Sequence, residues 1–371
     1  MRTVATDEED MRLDRWFKEH YPTLAFGALN RLLRKGSIRI DGGRAKSNAR
    51  LKAGQIIRVP PMSPDDNASQ VASKSQGLAA GEDSETIDAL KAMTLFEDEM
   101  VVVLNKPAGL AVQGGPGVSR HVDGMLDAMR DRQGRRPRLV HRLDKDTSGV
   151  LIVAKTKGAA SSLAAAFRSR ATKKVYWALV RGVPKPKQGR ISTYLAKGGA
   201  DEDPQGRERM RVADHGDRGA DHALTLYNVL ETAGRGLTWI TLRPVTGRTH
   251  QLRAHCNHIG HPIIGDPKYF DVENWELPGG IQNRLHLHAR RLLIPHPKGG
   301  QIDITAPLPA HMEQSWNLLG LPLTLGAQEQ DEDEEAASAV VADMRKSRRK
   351  SGPAKLAPSK SPAKSRARAR S

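Results

Sequence analysis

Apolar positions along the first sixty residues recur first at helical spacing and then in short extended runs. Leu13, Trp16 and Phe17 fall at i, i+3 and i+4, one face of a short helix. A second helix is predicted from Thr23, a candidate cap, with Phe26, Leu29, Leu32 and Leu33 facing inward and Asn30, Arg31, Arg34 and Lys35 on its polar side. Gly36 ends it, Ile38 to Gly43 predicts a strand entering a tight turn, and Gln55 to Val59 a second strand closing at Pro60-Pro61. Residues 62–94 carry no apolar period and are expected to be a linker. Beyond it, Met100 to Leu104 predicts a strand ended by the turn Asn105 to Gly109, followed by the Gly-rich loop 113–117, a helix over 121–130 and a basic loop at 132–138. Val150 to Ala154 has the length and β-branched content of a buried strand. A helix over 159–170 with Leu163, Ala166 and Phe167 inward comes next, then a strand over 173–180. Residues 199–220 are charged and Gly-rich and predict a surface loop. Strands over 222–231 and 237–243, a helix from after Gly247 to Ile259, a strand near 286–294 and a short C-terminal helix complete the pattern.

Charge changes this picture. The chain of 371 residues carries a formal +17, with 38% hydrophobic and 4% aromatic residues. Residues 344–371 hold eleven Lys and Arg without an acid, and 329–343 hold seven acids without a base, so +13 resides on residues 1–328. Residues 11–60 alone hold twelve basic and three acidic residues. A polyanionic partner is expected, nucleic acid before membrane, because phosphate contacts release counterions. Residues 326–371 are expected to be a disordered tail, having too little apolar surface to offset the entropy of ordering. One cysteine, Cys256, excludes an intramolecular disulfide. No apolar run reaches the roughly 18 residues of a membrane span, and the acidic start from Asp7 to Asp10 is unlike a signal peptide. A cytoplasmic monomer without membrane contact is expected.

The candidate chemistry lies in His141-Arg142-Leu143-Asp144-Lys145-Asp146-Thr147-Ser148-Gly149, a polar stretch running directly into the buried strand. Such a junction holds a charged side chain in a fixed place beside a pocket. Asp144 stands between Arg142 and Lys145, whose charges favour a carboxylate. In the strand 173–180, alternation sets Tyr176 on the face opposite Val175 and Trp177. In the helix after Gly247, His250 and Arg253 share a face. His250, His255, His258 and His261 invite a metal reading, but no HExxH pattern is present and no carboxylate lies between His250 and Gly265. The Gly-rich loop lacks the Lys-Ser/Thr ending of a phosphate-binding loop.

Two resemblances then become visible. The order RLDRW, LNRLLRKGSIRIDG and RLKAGQIIRVPP resembles the S4 RNA-binding domain. HRLDKDTSG, KKVYWALVRG, PVTGRTHQLRAH and GHPIIGD, in this order, resemble the RluA family of pseudouridine synthases, over about Leu95 to Pro309. With an S4-like unit in front, the chain resembles that family's RluC/RluD branch. Gln113 stands in the loop VQGGPGVS where those proteins often have His.

The resemblance implies an α+β fold, a mostly antiparallel mixed β-sheet with flanking helices preceded by a small S4-like RNA-binding domain. The expected organisation is an extension at 1–10, the S4-like domain at 11–61, the linker at 62–94, the catalytic domain at 95–325 and the tail. It implies isomerisation of uridine to pseudouridine in 23S ribosomal RNA without a cofactor. Asp144 is implied as the catalytic carboxylate, Arg253 as its partner and Tyr176 as the platform for the uracil. Arg142, His141, Arg248 and His250 near the site, and Arg31, Arg34 and Lys35 in the N-terminal unit, are the expected RNA contacts. A metal-dependent hydrolase built on the histidines, or a non-catalytic RNA-binding protein, is the rival expectation.

Overall fold

Strand pairing organises the molecule. The computed structural model describes residues 1–21, 24, 26–61, 80–115, 117–169, 171–198, 209–234, 236–270 and 279–324. Thr23, residues 62–79 of the expected linker, residues 199–208 of the expected surface loop and the tail from 326 lie outside them. Met1–Leu321 pack as one unit.

At its N-terminal end, helices α1 (Leu13–His20) and α2 (Phe26–Lys35) lie with four short strands, β1 (Arg2–Thr3), β2 (Arg39–Ile40), β3 (Gly43–Arg44) and β4 (Ile56–Arg58). The sheet order is β1-β4-β2-β3. Leu13, Trp16, Phe17, Leu29, Leu33, Ile38 and Ile57 form its core, as the periodicity predicts. Phe26 departs from it: the ring is 61% exposed at the first position of α2. Residues 2–8, expected as an extension, belong to this unit. Val4 is buried, and the Glu8 carboxylate accepts hydrogen bonds from the Ala5 N–H and the Trp16 indole and pairs with His20. Burial works against the Glu8 charge, yet these partners hold its pKa below the ordinary value.

The second sheet has eleven strands. Its path is β11 (Met210–Ala213), β10 (Gln188–Lys197), β12 (Asp221–Ala233), β13 (Leu237–Pro244), β9 (Lys173–Arg181), β14 (Leu287–Pro295), β8 (Ser148–Ala154), β6 (Val101–Lys106) and β5 (Thr94–Glu97). β15 (Gln301–Thr305) pairs with β14 and β7 (Arg138–Leu139) with β8. Among these pairings β8–β14 alone is parallel, so the sheet is mixed and mostly antiparallel. β10 and β11 carry too little apolar alternation to stand out in the sequence, and β11 falls inside the expected surface loop.

Strands β6 and β8 are buried on both faces, which explains their continuous apolar runs. Val101, Val103, Val150 and Ile152 pack on one side against Ala159, Leu163 and Ala166 of α5 (Lys157–Ser169). Val102, Leu104, Leu151 and Val153 pack on the other against α4 (Val122–Met125) and Leu90 of α3 (Ala80–Met93). α3 corrects the linker expectation for 80–93. Leu90 is buried against the β6–β8 face, with Ala89 and Met93 packed beside it. Two further helices, α6 (Gln251–His258) and α7 (Ala310–Leu319), flank the other half. Trp177, Trp239 and Trp316 meet edge to face, at 4.8 and 5.5 Å between ring centroids, tying β9, β13 and α7 together.

The parallel pair is the seam between the two halves. It spans only His288–Ser148 and Ala289–Gly149, and Gly149 makes it possible. Its φ is +110°, and a Cβ there would stand 2.2 Å from the Ala289 carbonyl oxygen. Gly149→Ala should therefore cost about 3 kcal/mol or more and lower the thermal midpoint by roughly 6–12 °C. Thermal unfolding of the purified variant measures this, and an unchanged midpoint would show the seam to be unimportant.

Candidate active site

The polar stretch ahead of β8 becomes a loop braced from behind. His141 Nε2 accepts the Ile152 N–H at 2.9 Å, and its ring stacks on Phe167 at 4.6 Å between centroids. Burial, aided by the charge of Lys174, pulls the imidazole down to about 3, so it is neutral and able to accept. That bond uses one ring nitrogen only, and His141 also lines the cleft in which RNA contact is expected. Lys106, wholly buried at the end of β6, donates to the carbonyls of Pro107, Leu110 and Lys145 at 2.8, 2.8 and 3.0 Å. Burial pulls Lys106 down to about 7, opposed by Asp146 and Asp144. Only the ammonium form has the three N–H donors that three carbonyls require. The backbone carrying Asp144 is thus pinned one residue further on, at Lys145.

Asp144 itself stays reachable, its side chain 20% exposed. Arg253, projecting from α6, brings Nη1 to 3.6 Å from Asp144 Oδ2. That is an ion pair and not a hydrogen bond. The tight partner of Arg253 is Asp266, which takes Nε at 2.7 Å and Nη2 at 2.6 Å in a bidentate pair with both side chains almost fully buried. Burial works against the Arg253 charge, but Asp266 and then Asp144 outweigh it and raise its pKa. Asp266 is the last residue of GHPIIGD and carried no role in the sequence reading. Gly265 before it has φ +67°, and a Cβ there would lie 2.0 Å from the Arg284 carbonyl oxygen, so this turn admits only glycine.

Tyr176 on β9 faces the same cleft. Burial, reinforced by the negative charge of Asp144, pushes its hydroxyl well above the ordinary range, so it remains a phenol. Lys174, two residues earlier, shares its side of the strand and lies close to Gly247, where a Cβ would stand 4.0 Å from Nζ. Among the described residues its ammonium has no anionic partner, and burial alone pulls it down to about 8. His250 caps α6 in a left-handed conformation, φ +49°, a strained backbone held at the rim of the site. Burial pulls it down to about 4 although Asp144 opposes this. Arg142 is exposed at the mouth, while Arg248 is tied to Asp221 at 3.1 Å and to the His222 carbonyl.

These side chains line one cleft of about 830 Å³. It brings together His141, Arg142, Asp144, Tyr176, Arg248, His250 and Arg253 as expected, and adds Lys174. Arg31, Arg34 and Lys35 do not reach it and stay exposed on α2. The crowded histidines point to different partners: His255 uses both ring nitrogens on Thr225 and Thr193, and His261 meets the Arg181 carbonyl. Among the described residues no three His, Cys, Asp or Glu gather as a metal would require, and no helix is long and apolar enough to cross a membrane.

The chain that builds this cleft has relatives among known proteins. The RNA pseudouridylate synthase family profile matches residues 100–258. "Ribosomal large subunit pseudouridine synthase C" of Pasteurella multocida is 36% identical over 321 residues, covering 85% of this chain and 92% of that protein. The chain belongs to the RluA family of pseudouridine synthases. "RNA pseudouridine synthase 4, mitochondrial" of Arabidopsis thaliana is 32% identical, covering 85% of this chain and 80% of that protein. The solved structure of human RNA Pseudouridylate Synthase Domain Containing 4 superposes with a TM-score of 0.52 at 29% identity, covering 64% of this chain and 96% of that one. As a pseudouridine synthase the protein is an isomerase, and the family match covers Asp144, Tyr176 and Arg253.

Lys174 offers a test by pH. Its ammonium is present below about 8 and lost as pH rises through that value. RNA binding by the unaltered enzyme should weaken across this range. Lys174→Gln should bind less tightly below it and lose that step, whereas Lys174→Arg should bind tightly on both sides. Titration of RNA affinity against pH decides, and an unchanged step in Lys174→Gln would remove Lys174 from the RNA contact.

Proposed function

We propose that this synthase converts uridines of large-subunit ribosomal RNA to pseudouridine, with Asp144 as the reacting carboxylate. The observation that carries this reading is the reachable Asp144 carboxylate set 3.6 Å from an Arg253 that Asp266 already holds rigidly. Large-subunit RNA as substrate is supported by the bacterial relatives named ribosomal large subunit pseudouridine synthase C, which match over most of their length.

In the isomerisation the bond from C1′ to N1 breaks and one from C1′ to C5 forms, the proton of C5 leaves, and N1 gains one. An anion beside the sugar assists that first cleavage, and preorganised charge of this kind is the larger part of such catalysis. The target base sits in folded RNA and must be flipped out to reach the cleft. Tyr176 then offers a face for the uracil to stack on. Because its hydroxyl stays protonated it serves as a donor, and in this reading the Asp144 carboxylate accepts the C5 proton. Arg142, exposed and next to the reacting residue, occupies the space the base vacates or holds a flanking phosphate. The N-terminal unit, with Arg31, Arg34 and Lys35 exposed along α2, acts as a clamp on phosphates away from the chemistry.

Asp144→Asn should abolish pseudouridine formation while leaving the fold and RNA affinity nearly unchanged. Turnover of an unmodified large-subunit transcript measures this, and near-normal turnover would refute the assignment. Replacing Arg31, Arg34 and Lys35 together by Ala should reduce the slope of log affinity against log salt by about two to three units. The saturated rate should hold. An unchanged slope would show that α2 is not on the RNA.

A further inference from the structure

A second cleft, of about 970 Å³, lies beside the first, and the two share walls at Arg15, Arg138, Leu139 and Lys157. It runs between α1 and α2 on one side and the loop 130–138 with residues 155–157 on the other. Eight Lys and Arg line it against three acids; Arg130, Arg135 and Lys155 pair with Asp127, Asp131 and Glu97 behind the lining, and Lys18 stays exposed. At its neck one carboxylate, Glu19, serves two guanidiniums, Arg138 at 2.9 Å and Arg15 at 3.6 Å. Burial and the neighbouring Arg138 charge lower the Arg15 pKa, although Glu19 and Asp123 oppose this. Phe26 opens onto this cleft with 61% of its surface exposed, although a phenylalanine at a helix start could have turned inward with Leu29 and Leu33. A positive groove beside an exposed aromatic ring is the pattern that binds single-stranded nucleic acid, the groove tracking phosphates and the ring taking a base.

We propose that RNA flanking the target uridine leaves the catalytic cleft over the Arg15–Arg138 neck and enters this second cleft, where one of its bases stacks on Phe26. The inference rests on the RNA-modifying function proposed above and adds a recognition site remote from the reacting base. An acidic protein segment would satisfy the positive charge equally, but it gives no reason for an unsheltered aromatic ring. RNA uses both features.

The test compares a ribosomal RNA fragment that the enzyme modifies, with its single-stranded flanks and trimmed to the target loop. Phe26→Ala and Phe26→Leu should each weaken binding of the flanked fragment by about tenfold, and Phe26→Trp should restore it. The saturated rate and the affinity for the trimmed fragment should not change. Lys18→Glu, on an exposed residue of the same cleft, should weaken binding of the flanked fragment alone and keep the test decisive if a Phe26 variant folds poorly. Unchanged affinity for the flanked fragment would overturn the proposal. Equal loss on both fragments would overturn it as well, and so would a Phe26→Leu variant binding like the parent. Turnover of the trimmed fragment by the unaltered enzyme reports on the underlying function separately, so the two failures are distinguishable.

Discussion

Arg253 is a guanidinium with 2% of its side chain exposed, and a charge so placed must be matched or the fold fails. Asp266 matches it with two short hydrogen bonds, and Asp144 stands 3.6 Å away on the open side. The asymmetry is the point. If Asp144 were the bidentate partner, its oxygens would be occupied and unable to approach a sugar. With Asp266 in that position Arg253 is immobile, and its remaining nitrogen presents positive charge towards Asp144 without capping it. Each member of the trio comes from a different part of the fold: the loop before β8, helix α6 and the turn after Gly265.

That three-part origin explains what could be seen before the structure. Asp144, Tyr176 and Arg253 were legible because each sits in a motif whose neighbours mark it. The strands β6, β8, β9, β12 and β13 were legible because their apolar runs are long and bounded by turn residues. Asp266, within GHPIIGD, is not legible in this way, since its pairing with Arg253 spans thirteen positions through a turn that periodicity does not describe. Lys106 and Lys174 look like ordinary strand-end lysines, and only burial separates them from the dozens of solvated bases in this chain. The bracing of β8 by His141 is equally hidden, since it depends on a backbone N–H eleven positions on. Phe26 failed in the opposite sense. A helical spacing that correctly buries Leu29 and Leu33 leaves the first residue of the helix free to point elsewhere.

The positive charge of the molecule follows two different physical rules. On α2, Arg31, Arg34 and Lys35 are exposed to solvent, so any phosphate they meet is bound in high dielectric and screened by salt. Lys174, in the cleft, has already lost much of its water and lacks a counter-anion among the described residues. A phosphate reaching it recovers an interaction that desolvation has made more valuable. Under the proposed function, exposed cations of the first sort set how often RNA arrives. Buried ones of the second sort decide how it is held.

Energetics of base flipping tie these features together under the proposed function. Extruding a base costs a few kcal/mol. Stacking it on one aromatic ring returns about 1–3 kcal/mol, so Tyr176 alone leaves the flipped state roughly balanced or short. The deficit has to be met at the mouth of the cleft. Arg142 is exposed beside Asp144, and Lys174 stands two residues from Tyr176 on the same face of β9. Both are within the cleft that the nucleotide's sugar and phosphates must enter. Phosphate contacts there are made only when the base is flipped, so they stabilise that state selectively. Contacts on α2 favour flipped and stacked RNA alike and leave the ratio unchanged. Losing a cleft cation should therefore act on the flipping step itself, whereas losing an α2 cation acts on encounter. The division between the two groups of basic residues is thus one of mechanism as well as position.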